Sequence, residues 1–214
     1  MKINFHYKKE KILRALVYIL ELLALAILLY IFVLPAYPLV EYKISTAENE
    51  KINIEAKDEE KVKQKTEEYK NSFPESEYAI SPNRLIITKI GVNAPIVESN
   101  NETYGLSKGA WHIPESSTPD KGSNTVITGH RFKYLPPNNL TFYLLDKLEK
   151  GDIISVIWHE QSYYYRVRET KIVPPTELSV LDHSDKPIIT LFTCHPLYST
   201  ENRLVVIGEL IEQK

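Results

Sequence analysis

The chain has 214 residues, of which 43% are apolar and 25% are charged, and its formal net charge is −2. This length provides one hydrophobic core of ordinary size plus shorter appended segments. The basic residues are matched by acidic ones and form no long stripe, which excludes the electrostatic pattern of a nucleic-acid-binding protein. Cys194 is the single cysteine, which excludes a disulfide within the chain.

A long apolar run lies near the N-terminus, from Ala15 to Leu34. About 20 residues of helix, at roughly 1.5 Å each, span a bilayer core of about 30 Å, so we predict a transmembrane helix over residues 15–35 that ends at Pro35. The run is too long for the core of a signal peptide, so we expect the anchor to be retained. Residues 1–14 carry five basic side chains. The positive-inside rule therefore predicts a cytoplasmic tail and a single-pass protein of the cell membrane, with the rest of the chain outside.

Residues 36–80 form a predicted linker, and from residue 41 onward it is dominated by Glu, Lys, Asp and Asn. A segment with charges of both signs and few apolar residues buries little surface by itself. Two interpretations remain open for this linker: a partly helical spacer that lifts the following domain off the membrane, and a disordered segment. We expect no catalytic residue in it.

Residues 81–214 consist of short apolar runs separated by Gly, Pro and Asn, a pattern typical of an all-β barrel or sandwich. One helical segment is predicted over residues 140–148, with Asn139 as its N-cap and Gly151 after its end. Eight runs have the length and composition of strands: Arg84–Ile90, Ala94–Val97, Ala110–Ile113, Asn124–His130, Asp152–Trp158, Tyr163–Lys171, Ile188–Cys194 and Arg203–Ile211.

Cys194 stands where an apolar run gives way to a polar loop. Free cysteines usually pack as small buried hydrophobes, but the end of a strand is a partly open setting in which a thiolate can be stabilised. His130 ends another strand-like run and can carry a proton, and Arg203 opens the last run and is a permanent cation. A nucleophile, a proton carrier and a fixed cation are the parts that an acyl-transfer site requires.

Three motifs resemble those of a known family. Thr190-Leu-Phe-Thr-Cys194 resembles the Thr-Leu-x-Thr-Cys signature of sortases, the membrane-anchored cysteine transpeptidases of bacterial cell surfaces, and Arg203 lies where their arginine does. Gly122-Ser-Asn-Thr-Val-Ile-Thr-Gly-His130-Arg131 resembles the segment that ends in the active-site histidine. Arg84–Ile96 resembles the first strand pair of the family. Three motifs in the right order are far more specific than any one of them, and the resemblance covers residues 82–210.

The resemblance implies an all-β catalytic domain over residues 81–214: an eight-stranded sortase-type β-barrel with short helices, preceded by the N-terminal transmembrane helix. In that fold the strands that end in His130 and Cys194 run parallel. Both side chains would then emerge at the same rim of the barrel, and a short loop would return Arg203 to it. Strand alternation assigns His130 to the same face as Thr128.

Residue chemistry assigns a role to each member of this trio. Cys194 is the predicted nucleophile and forms an acyl-thioester with the substrate. His130 is the predicted acid and base, which gives a proton to the departing amine and takes one from the incoming amine. Arg203 is predicted to stabilise the oxyanion or to hold the substrate backbone.

Three neighbours of these residues leave alternatives open. His195 is a rival acid or base, but consecutive strand residues point to opposite faces, which favours His130. Arg131 is expected to point away from the site. Thr193 either binds substrate through a hydrogen bond or packs beside the sulfur.

The resemblance also implies substrates and partners. A sortase cleaves an LPxTG-like sorting signal between Thr and Gly in a secreted protein and joins the Thr carbonyl to an amine, which belongs to a cell-wall precursor such as lipid II or to a pilin lysine. The loop after Cys194 and the interval to Arg203 are more similar to the pilin-polymerising group and to class D or E than to class A. Residues 36–83 contain no Asp-Pro-Trp/Phe/Gly lid motif, which is common in pilin polymerases, and this favours class D or E. Two alternatives remain: a membrane-anchored thiol peptidase with water as acceptor, and a non-enzymatic surface scaffold.

No cofactor is predicted from the sequence, because it contains no Cys/His cluster with metal-ligand spacing. Some family members bind calcium through loop carboxylates. The residues that would serve here are Glu98, Glu102 and Asp120, but surface carboxylates are commonplace, and we assign no metal.

Overall fold

The computed structural model describes residues 3–47, 58–71, 81–133 and 140–213. Eight strands close into one barrel in the order β1-β2-β3-β4-β7-β8-β6-β5, so the predicted all-β, eight-stranded fold is confirmed. The strands are β1 (Arg84–Ile87), β2 (Val92–Glu98), β3 (Ala110–His112), β4 (Asn124–Thr128), β5 (Ile153–Trp158), β6 (Gln161–Val173), β7 (Ile188–His195) and β8 (Asn202–Gln213).

Two strand pairs are parallel, β2 with β3 and β4 with β7, and the others are antiparallel. Parallel neighbours need a long connection, and β5 and β6 supply it between β4 and β7. The predicted parallel arrangement of β4 and β7 is confirmed. As a result, the C-terminal ends of both strands and the beginning of β8 lie at one rim of the barrel.

All eight strands contribute side chains to the barrel interior. Within β7, Ile189 and Leu191 point inward, whereas Ile188 belongs to a second cluster on the outer wall. Because successive strand residues alternate between faces, Cys194 shares the outer face with Ile188. The 3₁₀ turn Leu178–Leu181 contributes Val180 to this outer cluster, which keeps the wall below the cysteine packed.

The helix predicted over residues 140–148 is wrong. Only a 3₁₀ turn forms there, at Leu145–Lys147, and the predicted cap Asn139 lies outside the described residues. Consecutive apolar side chains from Phe142 to Leu145 are all buried in the barrel core. An α-helix would spread these four neighbours around its circumference, so it could not bury all of them against one surface, whereas a tight turn can.

A short helix, α3 (Glu102–Lys108), precedes β3 and was missed from the sequence. Two other helices, α1 (Ile3–Ala47) and α2 (Glu59–Asn71), precede it in the chain. The clearest sequence signal for α3 is its N-cap, Asn101, whose side chain accepts a hydrogen bond from the Tyr104 amide (2.9 Å).

The N-terminal helix α1 contains an apolar stretch, Glu10–Leu34, that is long enough to cross a membrane. The prediction that Pro35 ends the helix is wrong, because α1 continues through Pro35 to Ala47. A proline inside a helix removes one backbone hydrogen bond without necessarily ending it. Leu39 and Tyr42, three residues apart on one side of α1, pack against the barrel core, so the helix beyond Pro35 has tertiary contacts.

Helix α2 lies within the predicted linker and is docked on the barrel. Val62 contacts Ile153 and Tyr164 on the outer wall, and the Thr66 hydroxyl hydrogen-bonds Ser155 Oγ at 3.0 Å. Within the predicted linker, residues 59–71 are therefore helical and packed against the barrel. Charged contacts join the same surfaces: Lys63 with Glu212, Arg166 with Glu59, and Lys70 Nζ with the Glu160 carbonyl oxygen.

We predict that Val62→Ala lowers the free energy of unfolding by about 1–2 kcal/mol, because Val62 is 3% exposed and its truncation leaves a gap against the wall. Urea unfolding of the full-length chain in detergent micelles, followed by tryptophan fluorescence, measures this, since Trp111 and Trp158 both lie in the barrel. The matched control is Gln64→Ala at an exposed position of α2, with an expected change within about 0.5 kcal/mol. Equal effects of the two substitutions would show that α2 is not docked.

Candidate active site

The parallel register of β4 and β7 aligns the predicted histidine with the predicted cysteine. The last paired residues are Thr128 and Phe192. His130 and Cys194 each lie two residues beyond that pair, so they occupy equivalent positions after the parallel pairing ends. The structure therefore brings both to the same rim, as expected.

Thr193 ties these two ends together. Its side chain is 1% exposed and points into the barrel, and its hydroxyl donates a hydrogen bond of 2.7 Å to the Gly129 carbonyl oxygen. The residue before Cys194 is thus bonded to the residue before His130. Because the hydroxyl is buried and engaged in this bond, the structure favours packing beside the sulfur over substrate binding for the Thr193 side chain.

Arg203 is the cross-strand partner of Cys194 in the antiparallel pair of β7 and β8. Directly opposed residues of such a pair project from the same face, so the guanidinium shares the outer face with the sulfur. Arg203 Nη1 donates to the carbonyl oxygens of Thr200 and Asn202, both at 3.0 Å. These bonds hold the cation against the β7–β8 loop, while Nε and Nη2 carry further donors.

An open cavity of about 340 Å³ lies at this rim, and Cys194 and His130 are half-buried in its wall. Tyr198 stands at its edge, 62% exposed, with its ring edge-on to Phe132 at 4.5 Å between centroids. A substrate chain can therefore reach the sulfur from solvent. The residues that line the cavity are His130, Arg131, Phe132, Cys194, Tyr198, Ser199 and Thr200.

The environment of His130 favours its neutral form. Burial lowers the pKa of His130 below its ordinary value, the charge of Lys133 lowers it further, and Glu102 opposes both. Most of the imidazole is therefore unprotonated near pH 7 and able to accept a proton.

The expectation that Arg131 points away from the site is wrong. Its side chain is 7% exposed, lines the cavity and forms an ion pair from Nη2 to Asp146 Oδ1 at 2.7 Å. The expectation rested on strand alternation, but β4 ends at Thr128, so alternation no longer determines the direction of Arg131.

His195 lies at the end of β7, where it pairs with Asn202. Alternation places it on the face opposite Cys194, and it is not among the described residues that line the cavity. The geometry is compatible with His130 as the acid and base, which stays a prediction.

Sequence reasoning missed the aromatic and hydroxyl residues of the cavity wall. Phe132 follows the histidine motif directly, and Tyr198 lies in the loop that returns the chain from Cys194 to β8. An aromatic residue in the polar loop four positions after a candidate nucleophile is the sequence signal that could have identified Tyr198.

A larger cavity of about 490 Å³ lies beside the ends of β2 and β3, and Glu98 and His112 contribute to its lining. Its described lining residues include none of the predicted catalytic trio. Among the described residues, no group of three or more His, Cys, Asp or Glu side chains is arranged to hold a metal ion, and this includes Glu98, Glu102 and Asp120.

Comparison with known proteins agrees with this geometry. A family model described as the sortase domain matches residues 85–211, more than half of the chain. The chain belongs to the sortase family. The match includes residues of all eight strands and all three residues of the predicted trio.

This sortase is similar to sortase A of Listeria monocytogenes, with 32% identity over 59% of this chain and 54% of the relative. It is also similar to sortase D of Bacillus subtilis, with 31% identity over 59% of this chain and 62% of the relative. The chain thus spans between half and two-thirds of the length of these relatives.

Among solved structures, sortase E1 of Streptomyces coelicolor with a tripeptide in its active site superposes with a TM-score of 0.56 and 28% identity, over 62% of this chain and 88% of that one. The similarities to a sortase D and a sortase E1 are compatible with the predicted class D or E.

We predict that Lys133→Ala raises the pKa of His130, because it removes a positive charge that disfavours the imidazolium. Titration of the ring protons by NMR measures this shift, with the His130 signals assigned by their loss in His130→Asn. Lys150→Ala, an exposed lysine outside the cavity, is the control and should leave the titration unchanged. A downward shift in Lys133→Ala would contradict the electrostatic account.

We predict that Thr193→Val destabilises the barrel by about 1–3 kcal/mol, because it leaves the Gly129 carbonyl oxygen without its donor. Thr193→Ser keeps the hydroxyl and should recover most of this loss. Urea unfolding compares the two variants. If Thr193→Val were as stable as the wild-type chain, or less destabilised than Thr193→Ser, the hydrogen bond would contribute little to stability.

Proposed function

We propose that this sortase is a cysteine transpeptidase that cleaves an LPxTG-like sorting signal in secreted proteins and transfers the acyl group to an amine. The observation that carries the proposal is the strand register, which aligns Cys194 with His130 across β4 and β7 and pairs it with Arg203 across β7 and β8. The nucleophile and the proton carrier line one open cavity, and the fixed cation is the cross-strand neighbour of the nucleophile on the same face of the sheet.

In the first half-reaction, neutral His130 accepts the thiol proton of Cys194, and the sulfur attacks the Thr carbonyl carbon of the signal. The carbonyl oxygen becomes an oxyanion, which the guanidinium of Arg203 stabilises. His130 then delivers its proton to the departing amine nitrogen. The C–N bond breaks, and the acyl group remains on Cys194 as a thioester.

In the second half-reaction, an acceptor amine attacks the thioester carbon. His130, which is neutral again, takes a proton from the attacking nitrogen. The C–S bond breaks, a new amide is released, and the proton returns from the imidazole to the sulfur. A low pKa at His130 suits this step, because it keeps the imidazole ready to act as a base.

The acceptor in this proposal is an amine at the cell surface, from a cell-wall precursor such as lipid II or from a pilin lysine. We assign the chain to class D or E, which the similarity to sortase D and sortase E1 supports. The apolar stretch of α1 anchors it in the cell membrane with residues 1–14 in the cytoplasm and the catalytic domain outside, which the basic N-terminal tail supports.

Water is the competing acceptor, because the cavity is open and its edge residue Tyr198 is largely exposed. Hydrolysis of the thioester would make the protein a membrane-anchored thiol peptidase with the same residues in the same roles. The acceptor therefore decides between the two functions.

We expect the full-length chain, given an LPxTG peptide library and triglycine, to form peptide–triglycine amides that mass spectrometry identifies together with the preferred motif. A hydroxylamine-sensitive thioester should appear on Cys194 and be absent in Cys194→Ala. Arg203→Met should lower kcat/KM by roughly 10²- to 10³-fold, whereas Arg168→Met, at an exposed arginine on β6, should not. Release of free acid alone would favour the peptidase, and absence of any thioester would favour the non-enzymatic scaffold.

A further inference from the structure

We propose that Arg131 is a second fixed cation of the active site, which stabilises the Cys194 thiolate from the segment after β4 while Arg203 acts from β8. The proposal deepens the transpeptidase function and rests on it for its biological meaning. It assigns a role to a residue outside the predicted trio.

The hydrogen bonding of Arg131 is incomplete for a buried cation. Nη2 is bonded to Asp146, but Nε and Nη1 are buried and have no hydrogen-bond partner among the described residues. Leaving donors of a buried charged group unpaired is unfavourable unless another negative charge lies nearby. The Cys194 sulfur, in the wall of the same cavity, provides such a charge when it ionises.

The local charge count leaves Arg131 only partly neutralised. Asp146 accepts from Arg131 through Oδ1 and from Lys147 through Oδ2 at 2.8 Å, so one carboxylate is shared by two cations. This cluster of three side chains carries one net positive charge beside the cavity. A purely structural ion pair would be neutral.

The charge of Cys194 is one of the influences on the pKa of Arg131. Burial lowers the pKa of Arg131, and attraction to negative charge, first that of Asp146 and also that of ionised Cys194, acts against burial. The Tyr143 hydroxyl hydrogen-bonds Tyr198, which links this region to the loop after Cys194, and burial raises the pKa of Tyr143 to about 12, so it stays neutral. It therefore leaves the positive charge of the cluster intact.

The test is the rate at which iodoacetamide alkylates Cys194 as a function of pH, in the full-length chain in detergent micelles. Cys194 is the only cysteine, so the signal has one source. The His130→Asn background removes the titration of the neighbouring imidazole. The other charged or titratable groups around the cavity stay constant: Glu102, Lys133, Tyr143, Asp146, Lys147, His195, Tyr198 and Arg203.

In this background, Arg131→Met should move the midpoint of alkylation to higher pH by about 1 unit, because the thiolate loses an opposite charge. Arg131→Lys retains the charge and should move it by less than half as much. Arg168→Met, at an exposed arginine paired with Glu209, should not move it. An unchanged midpoint in Arg131→Met, or equal shifts in the Met and Lys variants, overturns the proposal.

A second variant, for which the expected midpoint shift has the opposite direction, keeps the test decisive if Arg131→Met does not fold. Asp146→Asn removes a negative charge and leaves both cations, so the midpoint should fall, and a rise overturns the proposal. Transfer to triglycine by the wild-type chain is measured in parallel. If the wild-type chain transfers the peptide to triglycine but the alkylation midpoint does not move in Arg131→Met, only the role of Arg131 is refuted. If the midpoint moves but the wild-type chain transfers nothing, only the proposed function is refuted.

Discussion

The parallel contact between β4 and β7 is the constraint on which the active site depends. It joins two segments that are 64 positions apart in sequence and fixes how far each extends beyond the barrel. The bond from Thr193 to Gly129 carries this register past the last paired residues, up to the positions of His130 and Cys194. Because both side chains leave from ends of paired strands, their separation is set by the sheet rather than by a loop.

The packing around this contact explains why the site lies on the outer wall. Leu191 and Leu204 fill the barrel beside it, while Val205 and Ile207 face outward into a cluster that the β6–β7 connection helps to cover. Alternation then assigns Cys194 and Arg203 to the outer face, where a peptide can reach them. The N-terminal segments pack on the same barrel, through α2 on the wall and through the last turns of α1.

The sequence alone predicts the parts of this structure that follow from local pattern. The eight β-type runs are found because apolar alternation marks them. The parallel strands and the cross-strand place of Arg203, which the resemblance to sortases implied, are found as well. The end of α1, the turn after residue 140 and the docking of α2 are not, since each depends on contacts with distant residues such as Tyr164. Arg131 was misplaced for the same reason: its direction is set by Asp146 and not by its neighbours in sequence.

The meeting of His130 and Cys194 at one rim can be tested directly with 1,3-dibromoacetone, a short reagent that alkylates a thiol and then a nearby imidazole. Peptide mapping of the treated full-length chain should find Cys194 joined to His130. The cross-link should be absent from His130→Asn. A cross-link to His195, or a product attached to the cysteine alone, would contradict the register on which this account is built.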